Sequence, residues 1–167
     1  MAPSHRSTIE TPDAASAARR VRDVMTTSPV CCVPGTPVVE LAVLLADHDC
    51  GAIPVVENVV SGRPVGMVTD RDIVCRIVAA SKNAATATAA DAMTSPCVTA
   101  AEDMSLDECV RLMEGNRVRR IAVVNDSGAV SGIVAQADVA LKADAGTVAA
   151  VVKRVSQPTR SPSAIGS

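Results

Sequence analysis

Apolar residues along the chain follow first a helical and then a strand-like spacing, and this succession occurs twice. An apolar stripe with a spacing of three to four residues predicts an amphipathic helix in each half of the chain. Its positions are Val38, Leu41 and Leu45 in the first half, and Leu106, Val110 and Met113 in the second. Two compact apolar runs follow each stripe and predict a pair of strands. The runs are AIPVVE (52–57) with PVGMVT (64–69), and RIAVVN (120–125) with AVSGIVA (129–135).

The two halves of the chain are copies of one unit. Met25 and Met93 occupy matching positions in the similar stretches DVMTTSPV and DAMTSPCV. Gly66 and Gly132 match each other in the same way, in GMVTDRDIV and GIVAQADVA. The interval between the glycines is shorter by two than the interval between the methionines, so the hairpin of the first copy is predicted to be longer by two residues. Self-similarity on this scale indicates a duplicated supersecondary unit, and each copy is too small to be stable alone.

Two further elements complete each copy. A Ser-Pro pair precedes a short strand, predicted at 30–33 and at 97–100, because proline suits the entrance of a strand. A final helix is predicted at 70–80 in the first copy and at 136–143 in the second. The element order is therefore β-α-β-β-α, twice, and the fold class is α/β, or more narrowly α+β.

The repeats divide the chain into six segments. Repeat 1 is predicted at 21–81 and repeat 2 at 90–145. The alanine- and threonine-rich segment 82–89 between them lacks a clear periodicity and is predicted to be a linker. The remaining predictions are a disordered tail at 1–20, a C-terminal helix at 146–156 and a disordered tail at 157–167.

The composition narrows the range of functions. The 167 residues include no Phe, Tyr or Trp, so a flat ligand must be held by aliphatic side chains and backbone groups. A net charge of −2 and the lack of aromatic stacking platforms disfavour nucleic-acid binding. The sequence has neither an apolar run long enough for a membrane helix nor an apolar signal segment near its start. These features favour a cytoplasmic protein without a membrane partner.

The cysteines predict reduced thiols rather than a disulfide framework. The six cysteines lie in apolar surroundings and none of them has a C-x-x-C spacing. His48 and Cys50 could supply two metal ligands. Nothing nearby in the sequence completes a tetrahedral set, so no metal site is predicted.

The stretch TDRD at 69–72 combines a hydroxyl, two carboxylates and a guanidinium where a strand gives way to a helix. Thr69 and Asp72 have the spacing of a capping box, which needs no ligand. A helix start with a hydroxyl also suits a phosphate, and a carboxylate one turn further can accept the hydroxyls of a ribose. Both interpretations remain open, and they are compatible because an empty site still needs its helix capped.

The doubled order of motifs resembles a tandem pair of CBS domains, known as a Bateman module. Each copy has D-x-M-T with S-P, then a helix, an h-P-V-V type of strand and a G-h-h-T-x-x-D type of ending, within residues 20–145. The layout is similar to small stand-alone bacterial CBS proteins of the hypoxic response protein type. The resemblance implies two repeats packed about a pseudo-twofold axis, with two clefts between their sheets. It also implies a regulatory role and pairing into dimers.

The resemblance implies a set of ligand-binding residues as well. In the family the matching Thr and Asp hold phosphate and ribose, which assigns these roles to Thr69 and Asp72. Arg119 and Arg120 stand where basic residues of nucleotide-binding members reach phosphates beside the other copy's Asp, although they could instead solubilise an exposed edge or pair with Glu114. The implied site comprises Thr69, Asp70, Arg71, Asp72, Arg119 and Arg120, with Thr27, Ser28, Val30, Ile53, Pro54 and Met67 around the base. The apolar members of this set are core residues by default.

The second copy departs from this pattern. It has Asp138, but Ala135 stands where the threonine should be. Gly51 and Ala52 stand where the other cleft has its arginine pair. We expect this helix start to lack both the cap and the phosphate contact, so the second site, at Asp138, is expected to be weak or empty.

The predicted function is a ligand-responsive regulatory module that binds AMP, ADP or ATP, with S-adenosylmethionine and NAD ranked behind them and no cofactor required. A second interpretation is a constitutive dimeric interaction or stress-response protein with an empty cleft. Catalysis is disfavoured, because Asp70 and Asp72 diverge on a helix and no oriented base is visible. The predicted partners are the nucleotide, a second copy of the chain in a homodimer, and an unidentified regulated protein.

Overall fold

The computed structural model describes residues 19–142. The helices are α1 (Val38–Asp47), α2 (Asp70–Ile73), α3 (Ala89–Ala92), α4 (Leu106–Asn116) and α5 (Gln136–Lys142), with a 3₁₀ turn at Val21–Asp23 and a π-helix at Val74–Val78. The strands are β1 (Thr26–Thr27), β2 (Ala52–Val56), β3 (Pro64–Thr69), β4 (Thr99–Ala101), β5 (Arg120–Val124) and β6 (Val130–Ala135). The α+β fold class is confirmed. The predicted C-terminal helix, the C-terminal tail and nearly all of the N-terminal tail lie outside the described residues.

The strands form two sheets, each built around the hairpin of one repeat. In the first sheet β2 and β3 pair as an antiparallel hairpin. The second sheet has the order β1-β6-β5-β4, in which β5 and β6 form the equivalent hairpin and β4 runs parallel to β5. The first hairpin loop comprises 57–63 and the second comprises 125–129. The first is therefore the longer by two residues, as the unequal intervals between the repeated methionines and glycines predict.

The predicted strand at 30–33 is wrong. Only Cys32 pairs with β2. Its backbone N–H and its backbone carbonyl each form one hydrogen bond to that strand, at 3.0 and 2.8 Å respectively. Pro29 and Pro34 flank this position, and proline has no N–H to extend a ladder. In the second copy the predicted strand exists as β4, two residues later than expected.

The predicted helix at 70–80 divides into α2 and the π-helix that follows it. The backbone N–H of Ala79 donates to the carbonyl of Val74, five residues earlier, at 2.8 Å. Ile77, within the wider turn, is fully buried in the first core. Short π-helical segments are rare and are frequent at functional sites. The helix predicted at 136–143 agrees with α5.

Each sheet has its own hydrophobic core, and each core includes a segment from the other repeat. The first core consists of Cys32, Val38, Leu41, Leu45, Ile53, Val55, Val68, Ile77, Ala87, Ala89 and Ala92. The second consists of Val21, Val24, Ala100, Leu106, Cys109, Val110, Met113, Ile121, Val123, Val134 and Val139. Val21 and Val24 open repeat 1 but pack under the second sheet, whereas α3, with Ala89 and Ala92, leads into repeat 2 but packs under the first. The repeats therefore exchange their leading segments.

Two methionines mark the points of exchange. A Cβ placed on Gly66 would lie 2.6 Å from the Sδ of Met93, and one placed on Gly132 would lie 2.5 Å from the Sδ of Met25. A side chain at either glycine would have to displace the methionine, and its Cβ would lie 3.1 Å from a backbone carbonyl. The two equivalent contacts give the units the pseudo-twofold relation that the resemblance implies.

The segment predicted as a linker is packed against the first repeat at its C-terminal end. The carbonyl of Ala87 accepts the N–H of Val38 at 2.9 Å, and the N–H of Ala89 donates to Thr36 at 2.8 Å. Ala87 is 6% exposed and Ala89 is fully buried. Alanine methyl groups carry too little apolar area to produce a clear hydrophobic periodicity. They nevertheless allow the segment to approach α1 closely, and this contact could therefore not be predicted from the pattern of apolar residues.

Candidate functional site between the two repeats

The candidate site lies beside the faces of the two sheets that point away from their cores. Side chains alternate along a strand, so the neighbours of core residues share the opposite face. On the first sheet these are Ala52, Pro54, Met67 and Thr69, and on the second they are Arg120, Ala122, Ile133 and Ala135. The two sheets also meet at their hairpin loops, where the N–H of Val130 donates to the carbonyl of Gly62 at 2.9 Å.

Thr69 and Asp72 form a complete capping box at the start of α2. Oδ2 of Asp72 accepts the backbone N–H of Thr69 at 2.9 Å and its hydroxyl at 2.7 Å. The N–H of Asp72 donates back to the Thr69 hydroxyl at 3.1 Å. The capping interpretation is confirmed. The cap uses one carboxylate oxygen, and the other, Oδ1, lies 3.6 Å from Nη2 of Arg76.

The equivalent helix start in the second repeat keeps half of this arrangement. The N–H of Ala135 donates to Oδ2 of Asp138 at 2.8 Å. The expectation that α5 lacks a cap is therefore wrong, because a carboxylate needs only a backbone N–H, which alanine also has. What the second start lacks is the hydroxyl.

Arg120 opens β5, and its guanidinium lies over Gly51 in the first repeat. A Cβ on Gly51 would be 2.5 Å from Nη2 and 3.0 Å from Cζ of Arg120, so the arginine takes the space of a side chain. The residue after Gly51 is Ala52, whose partner in the strand ladder is Thr69. The structure thus brings Arg120 to the end of the strand pair that carries the capping box. Arg119 is exposed at the position before it.

Asp70 and Arg71 occupy the first turn of α2 and are both exposed. Oδ1 of Asp70 accepts the backbone N–H of Arg71 at 2.8 Å. Neither side chain is fixed by the core, so both remain accessible to a ligand at this helix start.

The residues predicted around the base lie on both sheets. Thr27 and Ser28 are exposed at the end of β1, where the N–H of Ser28 donates to a carbonyl of β6 at 3.0 Å. Val30 is partly buried and follows as the chain crosses towards Cys32 and the first sheet. Segment 27–32 therefore connects the sheets on which Arg120 and Thr69 lie.

The other three predicted base contacts belong to the first hairpin. Pro54 and Met67 are partners in the ladder, on the face away from the first core. Ile53 is fully buried and packs in that core. Its side chain is therefore occupied by core packing, and only its backbone is left for a ligand.

Sequence reasoning missed two residues at this site. Arg76 follows Asp72 by four residues, the spacing at which helical side chains meet, so this pair could have been found from the sequence. Gly51 could not, because its importance comes from the approach of a side chain that belongs to the other repeat.

The described residues contain no cluster of metal-ligating side chains, and burial raises the pKa of several of their thiols. Between residues 19 and 142, no three or more His, Cys, Asp or Glu side chains lie together as a metal site would require. All six cysteines are free. Burial raises the pKa of Cys32 to about 12 and those of Cys97 and Cys109 to about 11, so these thiols stay protonated at neutral pH.

The duplicated unit, its exchanged leading segments and its capped helix starts define a pair of CBS domains. The CBS domain family matches residues 21–79 and 89–143. The chain belongs to this family, and the predicted tandem pair is confirmed.

The chain is similar to stand-alone members of the family. Hypoxic response protein 1 of Mycobacterium tuberculosis is 31% identical over 82% of this chain and 94% of that protein. A crystal structure of Hypoxic Response Protein I with two coordinated zinc ions has 31% identity and a TM-score of 0.66, covering 74% of this chain and 98% of the other. The predicted likeness to this type of protein is confirmed.

Two further relatives extend the comparison. The CBS domain pair of protein MJ0100, solved with 5′-methylthioadenosine and S-adenosyl-L-methionine, has 28% identity and a TM-score of 0.66, covering 74% of this chain and 94% of the other. A protein of Methanopyrus kandleri is 36% identical over 71% of this chain, but the chain spans only 57% of its length.

None of the helices within residues 19–142 has the length and apolar character needed to cross a bilayer.

Proposed function

We propose that this protein is a regulatory CBS pair that binds AMP, ADP or ATP beside Thr69, Asp72 and Arg120. The observation that carries the proposal is the guanidinium of Arg120 over Gly51, at the end of the strand pair that leads into the Thr69–Asp72 helix start. A hydroxyl and a carboxylate from one repeat and a cation from the other provide groups for ribose and phosphate. The adenosine-containing ligands of the MJ0100 pair support this ligand class.

The charge of the proposed site favours a nucleotide over S-adenosylmethionine. Arg120 is only partly exposed, and a partly desolvated guanidinium favours an anion at the adjacent position. S-adenosylmethionine carries a positive sulfonium and has a carboxylate but no phosphate, so it gains less from Arg120 than a nucleotide does. NAD has a diphosphate, but its second nucleoside needs additional room.

A titration of the purified protein with AMP, ADP, ATP, NAD and S-adenosylmethionine tests this proposal. We expect one AMP, ADP or ATP to bind per chain, with weaker binding of S-adenosylmethionine, as measured by calorimetry. At 100 times its dissociation constant the nucleotide should stabilise the fold by about 2.7 kcal/mol, measurable as a rise in melting temperature. Because the chain has no Tyr or Trp, equilibrium dialysis can quantify bound nucleotide by its ultraviolet absorbance. No binding of any of the three nucleotides would contradict the proposal.

The competing interpretation is a constitutive interaction or stress-response protein with an empty cleft, and the same titration separates the two. We assign no catalytic residue: Asp70 is exposed and Asp72 is engaged in the helix cap. The regulated protein partner and the cytoplasmic location stay predictions.

We also propose that the protein is a homodimer formed mainly through the first repeat. Four valines of this repeat, two on α1 and two on the π-helix, are more than half exposed: Val39, Val43, Val74 and Val78. The repeat places Asp107 and Arg111 of α4 at the positions equivalent to Val39 and Val43, so the second repeat lacks this apolar face on its own helix. A twofold axis through the first repeat would bury the valines of both copies against each other.

Substitution of Val43 by arginine should disrupt this dimer. Each copy contributes the same face to a twofold interface, so the substitution introduces two unpaired charges that must be desolvated. Light scattering should show a shift from dimer to monomer at micromolar concentrations. The matched control is Val60→Arg, since Val60 is 99% exposed in the hairpin loop and should leave the dimer intact. A Val43→Arg variant that remains dimeric would place the interface elsewhere.

A further inference from the structure

Arg76 joins the carboxylate of Asp72 to the start of the second repeat. Its Nη1 donates to the carbonyl of Ala92 at 2.8 Å and also to the carbonyl of Met93. Its Nη2 donates to the hydroxyl of Thr94 at 2.9 Å and lies 3.6 Å from Oδ1 of Asp72. One planar guanidinium thus contacts three consecutive residues of one repeat and the candidate ribose-binding residue of the other.

Segment 92–94 is the point where the chain leaves the first core for the second sheet. Thr94 pairs with Met67 through two backbone hydrogen bonds, of 3.0 and 2.8 Å. Met93 packs on Gly66, on the core side of β3, whereas Met67 and Thr69 are on the opposite side. Any movement of Arg76 therefore acts on a segment that is bonded to β3 and continues into repeat 2.

The two oxygens of Asp72 have different roles in this arrangement. Oδ2 is occupied by the backbone and hydroxyl of Thr69. The contact described above for Oδ1 is with Arg76, and its length of 3.6 Å is long for a direct hydrogen bond. A ribose hydroxyl that donates to Oδ1 would share this oxygen with Arg76, so occupancy of the site and the position of the guanidinium depend on each other.

We propose that Arg76 is a positioning residue that transmits nucleotide binding at Asp72 to segment 92–94, and through it to the second repeat. This inference rests on the proposed nucleotide site. The sequence has Lys142 at the equivalent position of repeat 2, and lysine lacks the planar fork that lets one side chain hold two carbonyls and a hydroxyl. The coupling is therefore assigned to the site of the first repeat, and the equivalent helix of the second repeat lacks the side chain that would provide it.

Methionine methyl groups provide separate reporters of binding and of coupling. Met67 is on the face of the proposed site and reports occupancy, whereas Met93 is on the core side and reports movement of segment 92–94. Protein labelled with ¹³C in its methionine methyl groups would be compared with and without saturating AMP, as wild type, Arg76→Ala and Arg76→Lys. Assignments would come from single Met→Leu variants, and the buried Met113 of the second core would monitor the fold.

In the wild type we expect AMP to shift the methyl resonances of both Met67 and Met93. In Arg76→Ala and Arg76→Lys we expect AMP to shift Met67 still, while the shift of Met93 falls by at least half. The lysine variant retains the positive charge, and it provides the test if the alanine variant loses stability. A Met93 shift that is absent in AMP-bound wild type, or fully retained in both variants, would overturn the inference. Absence of AMP binding to the wild type would instead refute the proposed nucleotide site.

Discussion

Replacement of Asp72 by alanine should weaken AMP binding about 10- to 150-fold, because it removes the proposed charge-assisted hydrogen bond to the ribose, worth about 1.5–3 kcal/mol. The carboxylate is only 18% exposed, so water compensates little for the lost contact. Calorimetric titration of the variant with AMP measures the change. The variant also loses the acceptor of the Thr69 cap, so its melting temperature must be measured alongside.

Asp138→Ala is the matched control for this prediction. It removes the backbone part of the same cap, the bond from the N–H of Ala135, so it should lose less stability than Asp72→Ala, which also loses the bond from the Thr69 hydroxyl. AMP affinity should change little in Asp138→Ala, because this helix start has no threonine, and Gly51 and Ala52 stand where the other cleft has Arg119 and Arg120. Equal losses of affinity would show that the two clefts are equivalent. No loss in Asp72→Ala would mean that TDRD serves only as a helix cap.

Replacement of Arg120 by alanine should weaken AMP binding by a similar factor, about 10- to 150-fold, yet leave adenosine binding almost unchanged. Only AMP has the phosphate that the guanidinium is proposed to contact. The loss should be measured by titrating wild type and variant with both ligands. Added salt should weaken AMP binding to the wild type in the same direction, because a partly exposed arginine–phosphate contact is screened.

Arg111→Ala serves as the charge-matched control for Arg120→Ala. Arg111 is exposed on α4, so its removal changes the net charge equally without touching the proposed site. AMP affinity should then remain close to that of the wild type. If Arg120→Ala weakened adenosine as much as AMP, the arginine would act on the shape of the cleft rather than on the phosphate.

The parts of the fold that depend on local pattern could be predicted from the sequence. The hairpin strands follow from compact apolar runs, and β3 begins and ends where the run PVGMVT does. The helix starts follow from the spacing of Thr69 and Asp72, which is a matter of backbone geometry within one turn. The family itself follows from the order of the repeated motifs.

The parts that depend on contacts between distant segments could not be predicted in this way. The leading segments DVMT and DAMT are nearly identical, so the sequence does not say which sheet each one joins. The position of Arg120 depends on the absence of a side chain at Gly51, which is visible only once the repeats are packed. The role of Arg76 depends on α3, a short helix in an alanine-rich segment with no periodic signal. Ligand binding at these residues stays a prediction.

The crossed leading segments also constrain how such a chain can arise by gene duplication. A repeat that folded on a chain of its own would expose the core that Val21 and Val24, or Ala89 and Ala92, now cover from the other repeat. It could complete that core only by taking the segment from a second identical chain, as in a swapped dimer. Joining the two genes turns this exchange between chains into one within a chain, so that assembly no longer depends on protein concentration. The two copies are then free to diverge, so that one carries the threonine of a cleft and the other carries the arginine that faces it.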